Sequence, residues 1–373
     1  MLAYRLALFR AFVLCFMYCA GALANAVAFT AGNVAIYRVG TGTGILVNTG
    51  NPVFIDEYTP SGMLAQSIAL PTTANGSNAP LIGSGTATSD GLLTRSVDGN
   101  CLWMTGYGTT VGGATSLTGT TSGLVPRVVG RINAAGAIDT TTALTNYSSV
   151  TNIRSAAGND CNSAFVTGGT GTGAGIVSGI INVALGATTA NPALSTTLTN
   201  LRQVNIFNGQ LYIATGSGTT IRIGAVGIGT SSTTGQVVAT LPGIPTTSSV
   251  SPYAFFFAKL SGASAGVDTL YIAHEDVSGL AKYSLNGGIW VSKGVVGVDV
   301  DDYRGLTGVV SGSTVTLYAV RKGGSSATGG GELVSLVDAS GYDGAFAGTP
   351  TLRATAAANT AFRGVALVPE ATP

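Results

Sequence analysis

The chain has 373 residues, of which 55 are glycine, with 45% hydrophobic residues but only 17 basic and 16 acidic side chains. That balance excludes a basic face for nucleic acid or an anionic membrane, and it excludes an acidic tail. Val, Ile, Tyr and Phe recur at regular spacing, which excludes a disordered chain, and the length suits two ordinary domains or one large all-β domain.

Residues 1–24 read as an export signal. Arg5 and Arg10 form a basic start, Ala11 to Ala20 an apolar core, and Ala22-Leu23-Ala24 a small-x-small cleavage site. Ala24-Asn25-Ala26 offers a second site, after 26. The alternative is an uncleaved anchor, for which the apolar run is short. Cleavage leaves 25–373 as one domain with 15 basic and 16 acidic residues and no membrane span, in a secreted, periplasmic or cell-surface location.

After the signal come Val34 to Val39, Val53 to Tyr58 and Met63 to Leu70, three predicted strands with no start element before them. From there a short pattern recurs, in which a lead residue, Arg and a small or polar residue open a β-prone stretch. It appears at Arg95, Arg154, Arg202, Arg304 and Arg363, spaced by 59, 48, 102 and 59 residues. Near the middle of the long interval lies Pro252-Tyr253-Ala254-Phe255-Phe256, with Ala254 in place of Arg. Each clear unit continues with a second strand (Leu211 to Ala214, Leu270 to Ala273, Leu317 to Val320) and a third (Ile221 to Val226, Leu280 to Leu285, Glu332 to Val337). A fourth often follows, as at Gln236 to Leu241 or Gly288 to Val291.

Four short strands in about 50 residues make a propeller blade, which cannot bury both faces alone and so must stack into a ring. The last start has almost nothing after it. Phe362 to Pro369 therefore joins Val34 to Leu70 as one shared blade, with the C-terminal strand innermost. The expected fold is an all-β, six-bladed β-propeller closed by its own ends. Seven blades and a β-solenoid are the alternatives. Cys101 and Cys161 each follow a tight turn, and a disulfide between them is open if the turns occupy matching places.

Leu270-Tyr271-Ile272-Ala273, then Gly279 to Leu285 and Gly288-Ile289-Trp290, resembles one blade of the NHL and gluconolactonase-like six-bladed propellers. That family's usual Asp after the Ala is His274 here, which weakens any metal role the resemblance implies. Val53 to Tyr58, Gly91 to Ser96 and Phe362 to Ala366 resemble an uncharacterised family of exported bacterial proteins, which implies no activity.

Equivalent starts would set Arg95, Arg154, Arg202, Arg304 and Arg363 at one level around the axis, where forked guanidinium donors favour an anion. Otherwise each Arg bonds carbonyls or acids at a blade junction, with Asp90, Glu275, Asp276, Asp301 and Asp302 as candidate partners. His274, Glu275 and Asp276 form a possible mouth loop, able to support general-base chemistry or simply to lie on a loop surface. Asp299, Asp301 and Asp302 could hold calcium but lack the Gly and distal Glu of a calcium loop. No other cofactor is expected and no catalytic set is assigned. The expected role is a non-catalytic binding module for an extracellular ligand, anionic or polysaccharide. The alternative is an extracellular hydrolase, lactonase or lyase at the axial mouth.

Overall fold

A computed structural model describes residues 27–371 except 114, 248–249, 263–264 and 276–278. The segment 1–24 read as an export signal, and Asp276, lie outside the described residues. Among those residues the regular structure is β throughout, apart from two single 3₁₀ turns, and no helix is long and apolar enough to cross a membrane.

Consecutive strands pair antiparallel with short connections, so the chain folds as successive meanders. Three sheets have four strands each. They are Val204–Phe207, Gln210–Ala214, Ile223–Val226 and Val238–Thr240; then Pro252–Ala258, Thr269–His274, Leu280–Asn286 and Ile289–Val296; then Gly305–Ser311, Thr314–Arg321, Glu332–Asp338 and Thr351–Thr355. A three-stranded sheet holds Ile153–Ala157, Ser163–Gly168 and Ile181–Ala184. The remaining ten strands form one hydrogen-bonded path.

In that path Thr360–Leu367 pairs with Val34–Val39, which pairs with Asn51–Tyr58, which pairs with Leu64–Ala69. Beside them run Thr94–Arg95, Cys101–Tyr107, Arg127–Asn133 and Ile138–Leu144. The expectation separated these two groups. The two-residue strand Ile82–Gly83 joins them, because Ile82 pairs with both Pro52 and Tyr107. A bridge that short carries no hydrophobic alternation, so the sequence does not announce it.

The sheets stack face to face, and their central strands are buried on both sides. Cys101–Tyr107 and Thr269–His274 are accordingly buried along their whole length. Outer strands such as Ile289–Val296 are largely exposed. Apolar clusters fill the space between neighbours: Phe255, Phe257, Ile272 and Trp290 meet Ala214 and Ile223 from the preceding sheet. Buried Lys282 crosses to the next sheet, where Asp338 lies at 2.8 Å and the Gly341 carbonyl accepts a bond at 2.6 Å. Such a pair holds register between sheets because each charge left alone would be costly.

The first strands of the units pack on one another in chain order. Thr94–Arg95 touches Ile153–Ala157, which touches Val204–Phe207. Phe207 stacks on Phe256 and Phe257 of the next unit, Pro252–Ala258 touches Gly305–Ser311, and that strand touches Thr360–Leu367. Thr360–Leu367 in turn touches Thr94–Arg95. The arrangement is that of a β-propeller.

Candidate functional site at the axial mouth

The opening residues of the units gather at one end of the axis. A pocket there of about 120 Å³ is lined by Ser89, Arg154, Asn200, Arg202, Gly216, Ser217 and Tyr253. Two of the seven lining residues are guanidinium bearers and none is an acid.

Each arginine reaches across a sheet junction. Arg154 Nη1 donates to Asn200 Oδ1 at 2.5 Å and to the Leu201 carbonyl at 2.9 Å. Its buried Nε has no partner among the described residues. Arg202 Nη1 donates to Ser251 Oγ at 2.6 Å and the Pro252 carbonyl at 3.0 Å, and its Nη2 donates to Glu275 Oε2 at 3.2 Å. Arg304 Nη2 donates to the other oxygen of Glu275 at 2.8 Å, and Nη1 to the Gly323 carbonyl at 3.0 Å. Arg363 shares that carbonyl at 2.9 Å and donates to the Gly85 carbonyl at 3.0 Å. Burial first, and then the charge of Arg304, push the Arg363 guanidinium down to about 10.

Arg154, Arg202, Arg304 and Arg363 thus form a chain of neighbours at one end. Arg95 is set apart from them. The Leu92 N–H donates to the Arg154 carbonyl at 3.2 Å, so Leu92 stands at the level of Arg154 and Arg95 lies three residues further along. Its Nη1 donates to the Val368 carbonyl at 3.2 Å and to Glu370 at 3.3 Å, and it lines a different pocket. An Arg-small pattern marks where a strand opens but not its register against the next strand.

Tyr253 is the residue sequence reasoning missed. Its ring lies 3.8 Å from the Arg202 guanidinium carbon and 5.5 Å from that of Arg304, and its hydroxyl bonds Glu275 at 3.2 Å. The signal was present: where the Arg pattern lapses at Ala254, an aromatic stands beside the gap. Gly216 lets the Arg202 guanidinium lie close against the backbone, since a Cβ there would sit 2.8 Å from its central carbon.

His274 is 2% exposed, and its Nδ1 has no partner among the described residues. Burial first, then the charge of Arg202, lower its pKa from 6.5 to about 4, so it is neutral at physiological pH. Buried Asp90 accepts from Tyr107 at 2.9 Å and Asn152 at 2.6 Å, and burial raises its pKa. Asp299, Asp301 and Asp302 do not converge. Asp301 binds Arg321 at 3.0 Å and the Val298 N–H at 3.1 Å, Asp302 lies 3.6 Å from Arg304, and the described residues contain no metal-holding group of three His, Cys, Asp or Glu. Cys101 and Cys161 form a disulfide with Cα atoms 5.9 Å apart, tying the Cys101–Tyr107 strand to the turn between the first two strands of the next sheet.

Two further arginines went unread. Arg127 and Arg222 are buried, and each engages all three of its guanidine nitrogens with loop acceptors, mostly carbonyls. They hold loops in place and have no donors to spare, unlike Arg154.

No protein-family model matches the chain, and no curated protein is significantly similar to it. Among solved structures, the GH74 enzyme of Niastella koreensis aligns at 15% identity and TM-score 0.45, over 85% of this chain and 47% of that one. The chain therefore spans about half of that enzyme's length. A Bacteroides fragilis protein assigned the name 6-phosphogluconolactonase aligns at 13% identity and TM-score 0.46, over 87% and 82% of the two chains. The soluble aldose sugar dehydrogenase of Escherichia coli aligns at 13% identity and TM-score 0.45, over 82% and 99%.

Proposed function

We propose that this chain is an exported binding module that takes a carboxylate- or phosphate-bearing extracellular ligand, such as an acidic polysaccharide unit, at the axial mouth formed by Arg154 and Arg202. One observation carries this: the pocket is lined by two guanidinium groups, amide and hydroxyl donors, and no carboxylate. Arg154 spends only Nη1 on the described residues and keeps a buried, unbonded Nε. A half-buried guanidinium with donors left over matches an oxyanion in charge and in forked geometry. Export is supported by the signal-like start at 1–24 and by a disulfide of the kind that persists in oxidising compartments.

The architecture that presents the mouth is a single six-bladed domain over 25–373. Its support is the cyclic contact of first strands and the pairing of Val34–Val39 with Thr360–Leu367. On this count the ten-stranded path is two blades bridged by Ile82–Gly83.

A second reading, an extracellular hydrolase, lactonase or lyase, is favoured by the contact of Tyr253, Glu275 and Arg304 beside the pocket. A carboxylate next to a phenol could move a proton there. The two readings separate in a thermal-shift screen of anionic and neutral sugars, with turnover of lactones and glycosides followed in parallel. The binding reading expects stabilisation by the acidic members, lost in Arg154→Gln, and no turnover. Turnover abolished by Glu275→Gln would establish the enzyme instead.

A further inference from the structure

We propose that the opposite end of the axis is a second ligand site, specific for an amphipathic carboxylate: a compact apolar ring bearing one carboxylate group. The later residues of the first strands converge there around a cavity of about 260 Å³, with Arg95, Asn205, Phe207, Phe256, Leu306 and Leu367 in the wall. That is just below the size of pockets for drug-sized ligands and suits a compact one.

The wall has an apolar side and a single charge. Phe207 and Phe256 are both half-buried and meet edge to face with centroids 5.7 Å apart. Phe207 is fixed from behind by Phe257 at 5.4 Å. Gly308 completes this face: a Cβ at that position would come 2.8 Å from the Phe256 ring, so the glycine lets strand and ring lie together. A ring-shaped apolar group entering here meets aromatic edges held in place beforehand, the geometry aromatic pairs prefer.

Arg95 is the only charged residue of the wall. Its carboxylate partner, Glu370, contacts it at 3.3 Å and has a side chain 47% exposed. An exposed pair of this kind contributes little, so an entering carboxylate can take the place of Glu370 without a large penalty. An apolar ring alone would leave the guanidinium unused, and a small anion alone would leave the phenylalanine face wet. The site is independent of the Arg154 pocket and shares no lining residue with it.

Calorimetric titration of the full chain with 2-naphthoate, 2-naphthalenemethanol and acetate tests the proposal. Naphthoate should bind, with each of the other two weaker by about tenfold or more, the scale of one charge-assisted bond or one buried ring face. Arg95→Gln and Phe256→Ala should each weaken naphthoate by about tenfold. Glu370→Gln should tighten it by removing the competing carboxylate. Arg95→Gln alters a partly exposed side chain, so it remains informative even if Phe256→Ala fails to fold. No naphthoate binding, equal binding of the alcohol, or indifference to Arg95→Gln would each overturn the proposal.

Discussion

The two ends of the axis draw on several of the same stretches of chain, yet by opposite means. At the opening end, Arg202 and Arg304 grip one carboxylate, Glu275, around the Tyr253 ring, and Arg363 is buried against carbonyls. At the far end Phe207 and Phe256 pack edge to face, with Arg95 the lone charge of the wall. One end is held by charges that need partners, the other by apolar area. The first should respond to pH, salt and the loss of single carboxylates, and the second to the loss of ring volume.

The largest effect should come from the segment that serves both ends. Thr360–Leu367 pairs with Val34–Val39 and touches the first strands on either side. Deleting 360–369 should abolish cooperative folding, seen as loss of the thermal transition and of chymotrypsin resistance. A folded deletion variant would remove the shared-blade architecture.

Next come the partners of charge. Lowering the His274 pKa from 6.5 to about 4 means that the unfolded chain takes up this proton before the folded one does. The stability it confers is complete above about pH 6.5 and is lost as pH falls toward about 4, on the order of 3 kcal/mol over that window. Urea unfolding of wild type and His274→Leu across pH 7 to 4.5 should show a shallower fall in the variant. Glu275→Ala should cost about 2–3 kcal/mol, because it removes the one carboxylate that Arg202 and Arg304 share, with salt offsetting part of the loss. Phe256→Ala at the far end should cost about 2 kcal/mol with no salt or pH dependence, since the ring is half-buried. Equal salt dependence of the two variants would erase the contrast between the ends.

The strands were largely legible. Val34 to Val39, Leu270 to Ala273 and Glu332 to Val337 sit within observed strands, because a blade's central strands must be continuously apolar and its turns Gly-rich. The pairing of the chain's two ends was legible too, since the last start had no strands after it to complete a sheet. Two things could not be read. Ile82–Gly83 is too short for any periodicity, and it merges two sheets into one path. Register between units is also invisible in a three-residue pattern, which is why Arg95 was grouped with arginines from whose level it is offset by three residues. The function of an arginine likewise depends on how many of its donors are spent. Arg127 and Arg222 are buried and engage all three guanidine nitrogens, whereas Arg154 spends only Nη1.

Binding of an oxyanion by Arg154 and Arg202 is the central claim, and titration calorimetry with inorganic phosphate on wild type and Arg154→Gln tests it most directly. Phosphate should bind wild type once per chain, weaken as sodium chloride is raised, and lose about tenfold or more in affinity in the variant, with the melting temperature nearly unchanged. Equal affinity in the two proteins, or no heat from wild type at millimolar phosphate, would contradict it.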